Sequence, residues 1–409
     1  MKEDRSQALR FSYPQFLDEA MSTPPTVMTV YGTRPEAIKV APVLNVFDNN
    51  HRLNSVIVSS GQHRQMLDQV NDIFGIRPAF DLNIMRENQS LNGVVSRTIS
   101  RLNDVISEVN PDAVMVHGDT STAMAAALAG FHAGAKIVHL EAGLRSGNLH
   151  SPFPEEANRK LISQVASLHL APTNSARDNL LREGNDSESI VVTGNTVIDA
   201  LYMVSQMEPR FSDPRLQSVI HSGRRIVMVT THRRENLNAM AGIGEALQRI
   251  ARAFPDISIV FPAHLNPAVR TAIFPSIRNL DNVLLLDPLP YAEFVQLLNA
   301  ATLVLTDSGG IQEEAPALGK PVLVMRDNTE RPEAVRAGTV RLVGTDPHRI
   351  YNETVQLLEN SVAYMVMSRA INPYGDGHAA HRVGAAVAQL LGVGAVSYTH
   401  LRAHETRHD

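Results

Sequence analysis

An alternation that runs through the 409-residue chain twice constrains its fold more than any other feature. Short apolar, β-branched runs recur, each ends in a polar or Gly-rich turn, and each turn leads into a helical stretch. Thr26 to Tyr31, Ser55 to Ser59, Ala113 to Val116, Ala135 to Leu140, Leu168 to Ala171 and Ile190 to Val192 form the first series. From roughly Tyr202 to Arg225 the pattern weakens around Pro209, Pro214 and Gly223, which reads as a linker. It restarts over Ile226 to Thr230, Ile257 to Phe261, Val283 to Leu286, Leu303 to Leu305 and Val322 to Met325. Strands alternating with helices form βαβ units and a mostly parallel sheet. A chain of this length also exceeds one hydrophobic core. The expected fold is therefore α/β: two doubly wound, Rossmann-like domains, residues 25–200 and 201–375, enclosing an interdomain cleft.

Composition narrows the chemistry. A net charge of -5 and the lack of a Lys/Arg run give no reason to expect nucleic acid or a membrane surface. The absence of cysteine removes disulfides, thiol catalysis and Cys-ligated zinc. No apolar segment approaches the roughly 18 residues that span a bilayer, and no signal peptide is visible, so the cytoplasm is the expected location. Residues 1–24 read as an extension expected to be disordered, with a second candidate start at Met21. Residues 393–409 read as a non-native tail, because VSYTHLRAHETRHD resembles translated adapter sequence. His400, His404 and His408 within it are set aside, since a His row without carboxylates at a frayed end is weak evidence for a metal.

The candidate site residues sit where strands end, which is where open parallel sheets bind ligands. Asp119 and Glu141 terminate two apolar runs, and Glu155 follows at a helix start. Asp119, before Thr120-Ser121, equally suits a helix cap. Glu141 stands beside Gly143 and Arg145, which look like a backbone turn and an anion partner. After the first strand comes GTRPEAIK, where Thr33 and Glu36 have capping-box spacing and Pro35 suits a first turn. That turn aims backbone N–H groups and a positive helix end outward, and Arg34 and Lys39 add charge, so an anion such as a phosphate is the natural guest. In the second series His232, flanked by Arg233 and Arg234, ends a strand and faces an anion. Leu305 to Ala315 is a strand, a turn at Ser308, Gly309 and Gly310 that can bring backbone donors to a phosphate, and a helix. Glu314 there is placed for a ribose diol, and Arg331 is a second phosphate partner; Glu313 and Glu314 equally suit a helix N-terminus. No G-x-G-x-x-G, P-loop, H-E-x-x-H or G-x-S-x-G is present, which argues against a nicotinamide dehydrogenase, a P-loop enzyme, a zincin and an α/β-hydrolase.

The segments GTRPEAIK, HGDT, EAGLRSG, SPFPEEANR, TGNTVIDAL, THRREN, LTDSGGIQEEAP, LGKPVLVMRDNTERPEA, GTVRLVG and NPYGDG, in that order, resemble the bacterial non-hydrolysing UDP-N-acetylglucosamine 2-epimerases. The resemblance covers about residues 26–392. It implies the glycosyltransferase-B fold, a cytoplasmic homodimer, no metal or other cofactor, and interconversion of UDP-GlcNAc and UDP-ManNAc for surface polysaccharides. It also implies that a last helix, within 376–392, crosses back onto the first domain. By the same resemblance the family's acid/base and sugar-contacting carboxylates fall on Asp119, Glu141 and Glu155, and its histidine on His232. UDP-binding positions fall on Arg34, Lys39, Ser308, Gly309, Glu314 and Arg331, with Phe294 near the uracil. Leu289 stands where some relatives have Gln. A regulatory UDP-GlcNAc site would fall on Gln62, His63 and Gln65, with Asn88 where some relatives have Arg. Other readings of the same parts are a hydrolysing epimerase that releases ManNAc, a glycosyltransferase, and a non-catalytic UDP-sugar-binding protein.

Overall fold

The computed structural model describes residues 23–61, 64–86, 89–233 and 239–394, with the backbone alone for 64–66. Seven strands form a first sheet in the order β3-β2-β1-β4-β5-β6-β7. They are β1 (Thr26–Tyr31), β2 (Asn54–Ser59), β3 (Phe80–Asp81), β4 (Ala113–His117), β5 (Lys136–Leu140), β6 (Leu168–Ala171) and β7 (Ile190–Val192). Six form a second sheet in the order β10-β9-β8-β11-β12-β13. These are β8 (Ile226–Thr230), β9 (Ser258–Pro262), β10 (Val283–Leu286), β11 (Leu303–Thr306), β12 (Val322–Val324) and β13 (Val340–Leu342). Every pairing in both sheets is parallel.

The central strands are largely apolar because they are covered on both faces. Each residue of AVMVH in β4 and of IVMVT in β8 is buried, so no position needs to be polar for water. Each fully buried Val or Ile is worth about 1.5–3 kcal/mol relative to exposure, and the helices on either face provide that cover. In each sheet the strand order reverses between the first strand and its later neighbour, β1 beside β4 and β8 beside β11. Connections leave such a pair toward opposite faces, which opens a crevice at the strands' carboxyl ends.

The turn after β1 closes as its spacing predicts. The Glu36 carboxylate accepts from the backbone N–H groups of Gly32 at 3.0 Å and Thr33 at 2.7 Å. This seats the helix Arg34–Asp48 with its first turn facing the crevice. The helix Ala379–Leu390 packs back against it. A Cβ on Gly384 would stand 2.6 Å from the Val46 side chain, so glycine permits that approach. Asp199, 180 residues earlier, accepts from Ala379 and Ala380 N–H at 3.2 and 2.8 Å and so caps this last helix from the first sheet's side.

Three features differ from the sequence reading. β3, of two residues, and β13, of three with Arg341 interrupting its apolar run, are not predicted. The stretch read as a linker instead holds the end of the helix Thr196–Ser205 and the whole helix Pro214–Ile220. Pro214 starts that second helix, capped by Asp213, and does not interrupt it. Among the described residues no helix is long and apolar enough to cross a membrane.

Candidate functional site

A cavity of about 480 Å³ lies between the carboxyl ends of the two sheets. Arg34 and Lys39 reach it from the first turns of the helix after β1, and His232 from the end of β8. Ser308, Gly310 and Glu314 reach it from the turn and helix after β11, and Phe294 and Arg331 close the second sheet's side. Arg34 is exposed and has no partner among the described residues. The other two cations on the walls are already engaged. Lys39 Nζ donates to Glu141, and Arg331 Nε donates to Glu313.

Glu141 follows β5 with a left-handed backbone, φ 63°, an unusual conformation for a residue with a Cβ that turns the side chain off the strand end. Its carboxylate takes Lys39, accepts from Asn195 Nδ2 at 3.0 Å, and lies 3.8 Å from His117 Nε2. Burial pushes this carboxyl up, but the Lys39 charge, then His117 and the hydrogen bonds from both, hold it well below the usual range. Burial likewise works against the Lys39 ammonium, yet the Glu141 charge raises it overall.

Asp119 does not cap the following helix. Thr120 does, accepting from Ala123 N–H at 3.0 Å, and its own hydroxyl donates to Glu36 at 2.7 Å. The Asp119 carboxylate instead receives Arg159 Nη1. Arg159 in turn is held by Glu156 at 3.0 Å, a fully buried acid that also accepts from Ser146 and Gly147 N–H at 3.0 and 3.1 Å. Glu155, at the start of the same helix, is half-buried and has no partner among the described residues. Of the three acids expected from sequence, Glu141 and Asp119 are each paired with a cation, and Glu155 is unpaired among the described residues.

On the second sheet's side Asp307 organises the turn. It accepts from Thr231 Oγ1 at 2.7 Å and from His232 and Arg233 N–H at 3.0 and 2.9 Å, and its Oδ1 lies 3.2 Å from His232 Nδ1. Burial raises its carboxyl, but those donors hold it below the usual range overall. The His232 ring is thereby oriented from its Nδ1 edge, and it stacks on His264 at 6.1 Å between centroids. Glu314 behaves in the opposite way to Asp307. Burial, reinforced by Glu313, pushes its carboxyl up to about 7 against the opposing charges of Lys39 and Arg34.

The cavity wall thus carries cations from both sheets, Arg34 exposed and Lys39 and Arg331 half-buried, each of these two paired with an acid. A family model described as UDP-N-acetylglucosamine 2-epimerase matches residues 45–388. The chain belongs to that family. Over 358 residues it is 49% identical to UDP-N-acetylglucosamine 2-epimerase of Bacillus subtilis, with 87% of this chain and 93% of that protein covered. The Escherichia coli enzyme of the same name is 49% identical over 365 residues, covering 87% of this chain and 96% of the relative. A crystal structure of UDP-GlcNAc 2-epimerase from Neisseria meningitidis bound to UDP-GlcNAc superposes with a TM-score of 0.78 at 46% identity, covering 90% of this chain and 100% of that one. One from Methanocaldococcus jannaschii in complex with UDP-GlcNAc and UDP superposes at 0.70 and 29% identity, covering 90% and 100%. The two-sheet fold is the glycosyltransferase-B fold of this family.

Within that family fold the residues expected from sequence do not all stand in the cavity wall. Arg34, Lys39, His232, Phe294, Ser308, Gly310, Glu314 and Arg331 line it. Asp119, Glu141, Glu155 and Gly309 do not. Glu141 reaches the cavity through Lys39, and Gly309 is buried with a hypothetical Cβ 3.1 Å from Glu330, so it serves packing behind the turn. Arg145 pairs with Glu183 at 2.7 Å, away from the cavity. Gln62, His63 and Asn88 lie outside the described residues, as does the side chain of Gln65. Sequence reasoning gave no role to Asn195, Asp307 or Glu156. Asn195 and Asp307 lie within quoted motifs, TGNTVIDAL and LTDSGG, and a buried amide or acid at a strand end was the available signal.

Proposed function

We propose that the chain interconverts UDP-N-acetylglucosamine and UDP-N-acetylmannosamine without hydrolysis, by eliminating UDP and adding it back across 2-acetamidoglucal. The observation that carries this reading is one cavity between the sheets with cations of both on its wall, Arg34 and Lys39 from the first and Arg331 from the second, and with Glu141 bonded to Lys39 behind it. The bound ligands named for relatives at 46% and 29% identity agree with it.

The chemistry needs both halves. The C2 proton has no adjacent carbonyl to acidify it. When the C1–O bond to the diphosphate stretches, positive charge grows at C1 and C2–H becomes acidic. A carboxylate takes the proton, the C2–H electrons form the C1=C2 bond, and the C1–O electrons leave on the diphosphate. Arg34, Lys39, Arg331, the His232 ring and the Gly310 backbone stabilise that leaving charge. Lys39 and Arg331 keep N–H groups beyond those given to Glu141 and Glu313, so each can serve both. Return of UDP to C1, with a proton delivered to the other face of C2, inverts the centre.

Two acids on opposite faces of the sugar are required. Asp119 and Glu155 are the pair, the first oriented by Arg159 and the second unengaged. Glu141 orients Lys39 and serves as the alternate base. Its depressed pKa makes it a weak base. Phe294 lies beside the uracil and Glu314 takes the ribose diol. The working form is a cytoplasmic homodimer supplying surface-polysaccharide synthesis, as in the resemblance set out above.

Incubation with UDP-GlcNAc in heavy water tests this directly. The expected product is UDP-ManNAc labelled at C2, and Asp119→Asn and Glu155→Gln should each lower C2 exchange by at least about 10²-fold. Free ManNAc with UDP would mark a hydrolase, and transfer to an added sugar would mark a glycosyltransferase. Binding without exchange would leave a UDP-sugar-binding protein. Near-normal exchange in both variants would sink the acid/base assignment.

A further inference from the structure

The two engaged cations of the cleft are joined through one side chain. Asn195 is 4% exposed and follows β7, where the chain leaves the first sheet. Its single Nδ2 donates to Glu141 at 3.0 Å and to Glu313 at 2.8 Å. Glu141 holds Lys39 and Glu313 holds Arg331, so the bonds run Lys39–Glu141–Asn195–Glu313–Arg331 from one sheet's cation to the other's. The rest of Asn195 is also engaged. Its Oδ1 accepts from Val197 N–H at 3.1 Å, and its own N–H donates to the Tyr374 carbonyl at 2.7 Å, where the chain returns toward the first sheet. Asn372 Nδ2, from the same returning stretch, donates to the Glu313 carbonyl at 2.9 Å.

An amide is the group this junction needs. Two buried carboxylates converging on one point repel, and a neutral NH₂ with two hydrogens bonds both without adding charge. A carboxylate there would add a third negative charge, and a hydroxyl could donate to one acid only. We propose that Asn195 is a positioning residue for the leaving diphosphate: through Glu141 and Glu313 it sets Lys39 and Arg331, which belong to different sheets, in fixed relation across the cavity. This rests on the reading of the cleft as a diphosphate site. It goes beyond that reading in making the point where the chain leaves the first sheet part of the binding machinery, so that Lys39 and Arg331 are placed together and not independently.

The alternative is that Asn195 only caps the helix Thr196–Ser205, and two substitutions separate the roles. Asn195→Asp and Asn195→Ser both retain a good cap for that helix, and both lose the double donor. Full-length variants are measured by calorimetry with UDP as the probe and by steady-state turnover of UDP-GlcNAc. Asn195→Asp should bind UDP at least tenfold more weakly and lose about a hundredfold in kcat, with KM raised less than kcat falls, because the diphosphate charge is largest as it leaves. Asn195→Ser should show the same split at about a tenth of the size. Adding Glu313→Gln to Asn195→Ser should cost less than the product of the two single losses, since both cut the same chain of bonds.

UDP affinity and kcat within twofold of wild type in Asn195→Asp would overturn the proposal, as would losses in thermal midpoint alone. UDP binding needs no turnover, so the two readings fail separately. A wild-type protein that binds UDP yet never epimerises, alongside weak UDP binding by Asn195→Asp, removes the epimerase reading and keeps Asn195. A wild-type epimerase indifferent to Asn195→Asp does the reverse.

Discussion

Glu141 and Glu314 flank the same cleft from opposite sheets, both lose water on folding, and they end in opposite states. Burial raises both carboxyls. Beside Glu141 stand a lysine in direct contact and an amide at 3.0 Å, and the carboxyl falls well below its usual range. Beside Glu314 the nearest strong influence is another acid, Glu313, and the carboxyl is pushed up to about 7. Burial pushes both carboxyls up, and what separates them is the partner: a lysine overrides it at Glu141, and a second acid adds to it at Glu314. The first sheet's side therefore presents a permanently ionised, organised acid, and the second sheet's side one that titrates near neutrality.

Removing the partner should erase the difference, and this is the largest effect expected. In Lys39→Met, Glu141 is left buried without its cation, and its carboxyl should rise above the usual range as Glu314's does. A buried pair broken on one side costs about 3 kcal/mol, and losing one donor to the leaving charge lowers kcat by about 10²–10³-fold. The pH dependence follows from the direction of the shift. In the wild type the folded carboxyl lies below the ordinary value of 4.5, so its contribution is fully present above that pH and is lost as pH falls through the lower folded value. Urea unfolding at pH 7 and pH 4 should show a deficit in Lys39→Met that is large at the first and smaller at the second. An equal deficit at both would mean that the charge on Glu141 is not what Lys39 stabilises.

The converse test acts on Glu314. A carboxylate accepts from both hydroxyls of a ribose diol and a carboxylic acid does so less well, so UDP affinity should climb as pH rises through about 7. Glu314→Gln should flatten that rise and bind UDP about tenfold more weakly at pH 8, the worth of a charge-assisted hydrogen bond. Stability should move the other way. Because the folded carboxyl lies above 4.5, the wild type loses stability between pH 4.5 and about 7, and Glu314→Gln, which carries no charge, should gain on it over that window. Calorimetry and thermal unfolding at pH 5, 7 and 8 measure the two trends. A UDP affinity in the wild type that is flat with pH would remove Glu314 from the ribose.

Which of these facts could be read from the chain depends on how far apart the partners are. Strands show as apolar runs, and the end of a run is a local feature, so Asp119, Glu141 and His232 were placed at strand ends by their own neighbours. The capping box of Thr33 and Glu36 spans three residues and was equally legible. β3 and β13 are not, because Phe80-Asp81 is too short for an apolar run and Arg341 interrupts the run of Val340–Leu342, and Pro214 misleads because a proline looks the same where it starts a helix as where it ends one. The electrostatics were the least visible. Lys39 and Glu141 are 102 positions apart and Asn195 and Glu313 are 118, and nothing local says that a cation expected to face a phosphate already holds an acid. The alternative of Asp119 as a helix cap stays open in the sequence for the same reason: Arg159, which binds the Asp119 carboxylate, lies 40 residues on.

The smallest expected effect separates the two sheets' anion turns. After β1 the turn is closed by side chains, with Glu36 on two N–H groups and Thr120 on Glu36. After β11 the helix Ile311–Ala317 begins at Gly310 with no side-chain cap, and the backbone there stays open to the cavity. Gly310 does not need to be glycine for its conformation, since φ -62° and ψ -41° are ordinary helical values. An added Cβ would meet only Glu314 Oε2, at 3.9 Å. Gly310→Ala should therefore stabilise the fold by about 0.5 kcal/mol through the unfolded chain. It should weaken UDP binding severalfold, because the methyl occupies the wall where a phosphate would approach. Gly309→Ala, buried behind the turn against Glu330 at 3.1 Å, should change UDP affinity less. Thermal unfolding and UDP calorimetry on the two variants decide it. Equal or reversed effects on affinity would mean that the phosphate contacts this turn through Gly309 and not through Gly310.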